Sequence, residues 1–263
     1  MRLDDVGGFV FDVDGTLVHR AGSDTHVQPG ALEVLARIRA SGRPLAVFTN
    51  GSHETPATFA AGLREVGLDI ADDELLTPLQ SVQAHLGSKG PVLVFGNERV
   101  LPYLEQEGLQ LTDGEDAAAV FVAHVDAVDF DRLERAARAV LGGAELLTAS
   151  YAPAYAGANG PILSRGAMTA AAIAKASSTE PTIVGKPSHA ALETASNRLG
   201  VPAEELAVIG DDLGMDVALG KLGGARTVLV RSGISGEIDL GAIPEPSRPD
   251  AVVDGVSGVL DWL

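Results

Sequence analysis

The chain alternates short, nearly unbroken apolar runs with longer segments in which apolar residues return every three or four positions. Runs such as Phe9-Val-Phe11, Pro44-Leu-Ala-Val-Phe48 and Leu206-Ala-Val-Ile209 are too short for helices and lack polar interruptions, the pattern of strands buried on both faces of a parallel sheet. The pattern predicts strands near 8–12, 44–48, 91–95, 118–123, 145–148, 182–184, 206–209, 226–230 and 251–253. Between them it predicts helices near 30–41, 55–66, 98–107, 129–141, 189–199 and 215–222. Strand and helix in alternation imply right-handed crossovers and an α/β fold with a parallel sheet. The series from 91 to 148 does not carry acids at its strand ends in the manner of the flanking regions, which suits a second, smaller α/β domain. Turn-rich borders near Thr77-Pro78 and Ser177–Pro181 give 1–78 and 181–263 as one domain and 79–180 as the insert.

Chemistry collects where apolar runs end. Phe9-Val-Phe-Asp12-Val-Asp14-Gly15-Thr16 places two carboxylates one residue apart, and successive side chains on a regular strand point to opposite faces. The chain must bend at Gly15 for both to serve one site, and two such acids are costly together unless a cation neutralises them. Hard oxygen donors suit Mg²⁺. A second strand runs into Thr49-Asn50-Gly51-Ser52, whose hydroxyl, amide and backbone N–H groups form a phosphate cradle. A third segment sets Lys186, one of four lysines, between Gly185 and Pro187, and a fourth runs from Leu206 into Asp211, Asp212 and Asp216.

These four segments, in this order, resemble the motifs of the haloacid dehalogenase superfamily of phosphohydrolases. The resemblance covers nearly the whole chain. It implies a Rossmann-like core and, because the long gap from His53 to Gly185 separates the second motif from the third, a cap domain of C2 type inserted there. Val184-Gly-Lys-Pro-Ser188 and Val230-Arg-Ser-Gly-Ile-Ser235 are similar to the wording of the subfamily that holds NagD, the 4-nitrophenyl phosphatases and the phosphoglycolate phosphatases. By this resemblance Asp12 is the nucleophile that forms an aspartyl-phosphate, and Asp14 is the general acid and base. Mg²⁺ is held by the carboxylates of Asp12 and Asp211 and the backbone carbonyl of Asp14. Thr49, Asn50 and Gly51 bind the phosphoryl group with Lys186, and Asp216 orients a metal-bound water or Lys186. Asp212, His19 and His53 read as exposed polar residues, and Arg132, Arg135 and Arg138 as a solvated helix face.

The chain departs from the family in the cap. Thr148-Ala-Ser-Tyr-Ala-Pro153 and Gly160-Pro-Ile-Leu-Ser-Arg165-Gly166 replace its usual loops, and Arg165 becomes the candidate for contact with the leaving group. The expected activity is Mg²⁺-dependent hydrolysis of a small phosphorylated metabolite. A phosphotransferase or phosphomutase with the same nucleophile, or a non-catalytic binding protein, is the alternative.

Bulk properties narrow the field. A length of 263 residues with 46% hydrophobic residues suffices for one large or two moderate cores. A formal net charge of −17 argues against a sequence-independent nucleic-acid binder, which needs a basic face. It also demands that any phosphate site be a local positive spot. Without cysteine there is no disulfide, thiolate metal site or cysteine nucleophile. No apolar run is long enough to span a membrane and the start Met-Arg-Leu-Asp-Asp lacks a signal peptide's regions, so the protein is expected to be cytoplasmic. The resemblance allows pairing of two copies through the cap.

Overall fold

The computed structural model describes residues 2–21, 24–155 and 162–263. The first part of the chain contains β1 (Gly8–Phe11), a hairpin of β2 (Val18–Ala21) and β3 (Asp24–Val27), α1 (Ala31–Ala40), β4 (Leu45–Phe48), α2 (Pro56–Glu65) and β5 (Leu75–Leu76). The middle holds α3 (Pro78–Leu86), β6 (Val92–Phe95), α4 (Leu101–Gln106), β7 (Ala119–Val122), α5 (Phe130–Leu141) and β8 (Glu145–Thr148). After it come a small ribbon of β9 (Ala154–Tyr155) and β10 (Ile162–Leu163), then α6 (Arg165–Ser177) and β11 (Thr182–Ile183). The last part adds α7 (His189–Leu199), β12 (Leu206–Gly210), α8 (Ala218–Gly223), β13 (Arg226–Val230) and β14 (Ala251–Val253).

Six strands form one parallel sheet in the order β14-β13-β12-β1-β4-β5, and four form another in the order β11-β8-β7-β6. Both reflect period-two packing. In the larger sheet Phe9, Phe11, Val47 and Ile209 point to one face, against α1 and the C-terminal segment, while Val10, Ala46, Phe48 and Val208 point to the other, against α7 and α8. Each of these Val, Ile and Phe side chains, taken fully from water, contributes roughly 1.5–3 kcal/mol. The smaller sheet divides likewise: Val92, Val94 and Phe121 pack with Leu79, Val82 and Leu104, and Leu93, Val120 and Leu146 pack with Ala136, Ala139 and Ile173.

Several expectations change. The paired strands β2 and β3 and the helices α3 and α6 stand where the pattern predicted none. Thr77-Pro78, read as a border, is a helix start: Thr77 caps Leu79 N–H, Gln80 Oε1 accepts from Thr77 N–H, and Pro78 needs no donor in the first turn. Thr182 and Ile183 pair with Leu147 and Thr148, so the smaller sheet takes a strand from beyond residue 180. Arg165 opens α6 behind the Ser164 cap instead of lying in a loop, and Gly160 and Pro161 lie outside the described residues. Of the three arginines on α5, Arg138 is solvated, but Arg132 lies over the Phe95 ring and donates to Val94 O at 3.0 Å. Among the described residues no helix is long and apolar enough to cross a membrane.

Candidate active site

Parallel strands deliver the residues after them to one edge, and here the C-terminal ends of β1, β4 and β12 are succeeded by Asp12, Thr49 and Asp211. Asp12 is fixed by its own N–H, which donates to Ile209 O at 2.9 Å. Gly15 then takes φ 87° and turns the chain, so that its N–H reaches Val18 O at 2.8 Å. A side chain there is excluded twice, by the positive φ and by Asp211 Oδ2, which a Cβ would approach to 2.4 Å. The bend leaves Asp14 exposed, with Oδ1 accepting from Arg20 Nε.

Lys186 organises the acids. Its ammonium, 3% exposed, donates to Asp12 Oδ1 and to Asp216 Oδ1, each at 2.6 Å. The other oxygen of Asp216 accepts from Asp212 N–H at 3.1 Å, and Asp211 Oδ2 accepts from Ile234 N–H at 2.7 Å. Oxygens of Asp12, Asp211 and Asp216 lie within 4.8 Å of one another. Burial pulls the Lys186 ammonium down, yet Asp12 and Asp216 outweigh it and hold the group firmly protonated. Burial, with Asp216 and Asp211 adding to it, pushes the Asp12 carboxyl well up against the pull of Lys186. Burial chiefly pushes Asp211 up to about 6, with the Ile234 N–H opposing. One enclosed cation is too little for three acids, which is the electrostatic signature of a missing positive charge. The donor set fits a hard divalent ion. Asp216 already accepts at both oxygens, from Lys186 and from the Asp212 N–H, while Asp12 accepts at Oδ1 from Lys186 and Asp211 at Oδ2 from Ile234.

The second segment does more than supply a cradle. Thr49 Oγ1 accepts from Gly51 N–H at 3.1 Å, which uses up the donor expected of Gly51 and leaves the hydroxyl proton free to donate. Asn50 acts across the molecule: its Oδ1 accepts from Lys186 N–H and its Nδ2 donates to Lys186 O, both at 2.7 Å. This two-point clamp on the lysine's own backbone, between residues 136 apart, left no mark in the local sequence. The loop after β13 is a further unforeseen part, since Ser232 Oγ donates to Gly15 O at 2.7 Å and Ile234 holds Asp211.

Asp212 is not a solvated acid. It is half-buried and caps the turn 213–217, accepting from Gly214 N–H at 2.7 Å and Met215 N–H at 3.2 Å, and burial raises its pKa. His19 is exposed on β2. The His53 ring stands edge-on to Phe59 and to His124, with centroids 4.9 and 5.5 Å away, and desolvation followed by His124 lowers its pKa. His124 lies just after β7, and Asn97, which donates to His53 O at 2.8 Å, just after β6. The C-terminal edge of the smaller sheet therefore faces that of the larger. Arg165 is brought to this side of the smaller sheet, where its Nη1 donates to Asp126 O at 2.7 Å, but no bond joins it to the acids.

Comparison with known proteins agrees with this arrangement. A family model described as haloacid dehalogenase-like hydrolase matches residues 9–110, and a related HAD-hydrolase-like model matches 183–259. The chain is 29% identical to a dihydroxyacetone phosphatase of Corynebacterium glutamicum over 96% of its own length and 90% of the relative's. It is 30% identical to the ribonucleotide monophosphatase NagD of Escherichia coli over 95% and 96%. The solved p-nitrophenyl phosphatase of Archaeoglobus fulgidus superposes with a TM-score of 0.86 at 27% identity, covering 98% of this chain and 100% of that one.

Proposed function

The chain belongs to the haloacid dehalogenase-like hydrolases, as a phosphatase of the NagD and nitrophenyl phosphatase subfamily acting on small phosphorylated substrates, and on that premise we propose that it works through an aspartyl-phosphate on Asp12 with Mg²⁺ as its ion. The observation that carries this reading is the convergence of Asp12, Lys186, Asp211 and Asp216 from distant segments on one sheet edge.

Asp12, positioned by Ile209 O and with Oδ1 held by Lys186, attacks phosphorus through its other oxygen as the bond to the leaving oxygen breaks. Asp14 gives its proton to that oxygen, then takes one from the water that attacks phosphorus, freeing Asp12 and inorganic phosphate. The Thr49 hydroxyl and the Asn50 N–H bind phosphoryl oxygens, and Lys186 balances their charge. The Asp12 and Asp211 carboxylates, with the Asp14 backbone carbonyl, would hold Mg²⁺, which supplies charge neutralisation for the transferring group. The larger sheet with its helices serves as catalytic core, and the smaller sheet, which takes Thr182 and Ile183 from beyond the border expected at 180, serves with its helices as cap. Large apolar side chains left exposed on α5 and α6, Phe130, Leu141 and Met168, support pairing of two copies through the cap. Sedimentation reads this: Phe130→Asp should shift a dimer to monomer, and a monomeric wild type would remove it.

The test of the reaction is hydrolysis of 4-nitrophenyl phosphate with and without chelation. Turnover should vanish with the metal and return with Mg²⁺. Full activity after exhaustive chelation would sink the metal assignment, no activity with Mg²⁺ would favour a binding protein, and phosphate appearing on an added sugar instead of in solution would favour the phosphotransferase.

A further inference from the structure

The hairpin β2–β3 is laid against the active-site turn by that turn itself. Gly15 N–H bonds Val18 O, and Asp14 bridges to Val18, so the next strand runs beside the proposed acid. Arg20, paired with Thr25 across the hairpin, thereby brings its Nε onto Asp14 Oδ1. The other cations near the two facing edges, among the described residues, are otherwise engaged: Lys186 lies between two carboxylates, Arg99 is on Glu54, Arg165 is on Asp126 O, and Arg231 is on Gly236 O. Arg20 is different. Its side chain is 53% exposed and that of Asp14 49%, so water competes with their ion pair and an incoming anion can share the guanidinium at little cost. The bond to Asp14 is made by Nε, which leaves the paired Nη donors of the guanidinium fork for a second partner.

If Asp14 hands a proton to the leaving oxygen, the phosphatase mechanism on which this inference rests, that oxygen must come within hydrogen-bond reach of Asp14, and its substituent must then pass alongside Arg20. An anionic substituent would meet a planar two-toothed donor, and a neutral one would leave that donor with Asp14 alone. We propose that Arg20 is a specificity-determining residue that binds an oxyanion carried by the leaving alcohol, so that the preferred substrates are phosphate monoesters with a second negative group, carboxylate or phosphate, close to the ester oxygen. In a chain of net charge −17 such substrates are repelled at long range, and a cation at the acid itself offsets this where it matters.

The experiment compares three substrates on the Mg²⁺-loaded enzyme: 2-phosphoglycolate, ethylene glycol bisphosphate, and the neutral-ended 2-hydroxyethyl phosphate. For wild type kcat/KM should be higher for at least one anionic substrate than for the neutral one, and which of the two leads identifies the oxyanion. Arg20→Gln should lower that ratio by about 10- to 100-fold, chiefly through KM, and Arg20→Lys should restore part of it. Equal losses on all three would make Arg20 a partner of Asp14 only, and no loss would make it a surface residue; either result overturns the proposal while leaving the phosphatase reading intact. Absence of turnover on all three together with 4-nitrophenyl phosphate would overturn both.

Discussion

The two parallel sheets of this molecule are built alike and end differently. Both bury apolar side chains on two faces, and both present C-terminal strand edges, which are turned toward each other. On the larger sheet the residues directly after the strands are Asp12, Thr49 and Asp211, the first bonded to a buried lysine; on the smaller they are Gly96, Ala123 and Ala149, and Asn97 and His124, one position further, contact the loop at His53. The fold alone therefore makes no site. A few acids, and the cation and backbone donors that hold them in place, separate a chemical edge from a contacting one.

That contrast is most sharply broken at the nucleophile. Asp12→Asn should keep the fold, read by circular dichroism, and lower turnover by about 1,000-fold or more, because an amide is a poor nucleophile. Activity within tenfold of wild type would move the chemistry elsewhere on the edge. Asn50→Ala tests whether backbone clamping belongs to the chemical edge: turnover should fall by about 10- to 100-fold with a smaller change in KM, since a displaced Lys186 misaligns the reacting groups. Asn50→Asp should not rescue it, as it lacks the donor to Lys186 O; full rescue would show that only the acceptor matters.

The excess of acids on the same edge gives a third test. Asp211 sits at about 6 in the folded, metal-free protein, above its value in the unfolded chain, so the fold holds this proton more tightly. Stability from this group is present at low pH and is lost as pH rises from about 4 through about 6. Mg²⁺ held as proposed would bind the ionised carboxylate and offset the loss. Its effect on Tm should therefore be larger at about pH 7.5 than at about pH 5. An equal or inverted effect would count against Asp211 as a ligand. The smallest effect is expected on the cap side. Arg165→Ala should raise KM for 2-phosphoglycolate by no more than about threefold, its guanidinium being bonded already to Asp126 O. A tenfold rise would transfer recognition of the leaving group to the smaller sheet.

The strands were legible because burial on both faces writes itself as an apolar run, and the acids because they stand directly after those runs. Elements with weaker periodicity were not. Helix α6 is rich in alanine and presents no clear stripe, and Thr77-Pro78 signals a turn or a helix start with the same two residues. Strand β3 is half-exposed and polar, so the register of the β2–β3 pair came from the turn at Gly15 and not from its own pattern. At the site, residue types announced an acid cluster, whereas its supports did not announce themselves. Asn50 meets Lys186 only through the folded chain, Ile234 serves through its backbone N–H, and Asp212 looks in sequence like any loop acid although it caps the turn that carries Asp216.

The clamp of Asn50 on Lys186 also ties together two distant points of the chain between which the whole smaller sheet lies. Two residues 136 apart are pinned at one point, so whatever lies between them is a closed loop whose ends are already paired. For a flexible loop, doubling the length adds only about 0.6 kcal/mol to the entropy of closure. Loops lengthened within the insert between β5 and β11 therefore carry a small closure cost as long as the two ends still meet at this junction, whereas α2 and β5, which lie in the same segment, belong to the catalytic sheet and its core.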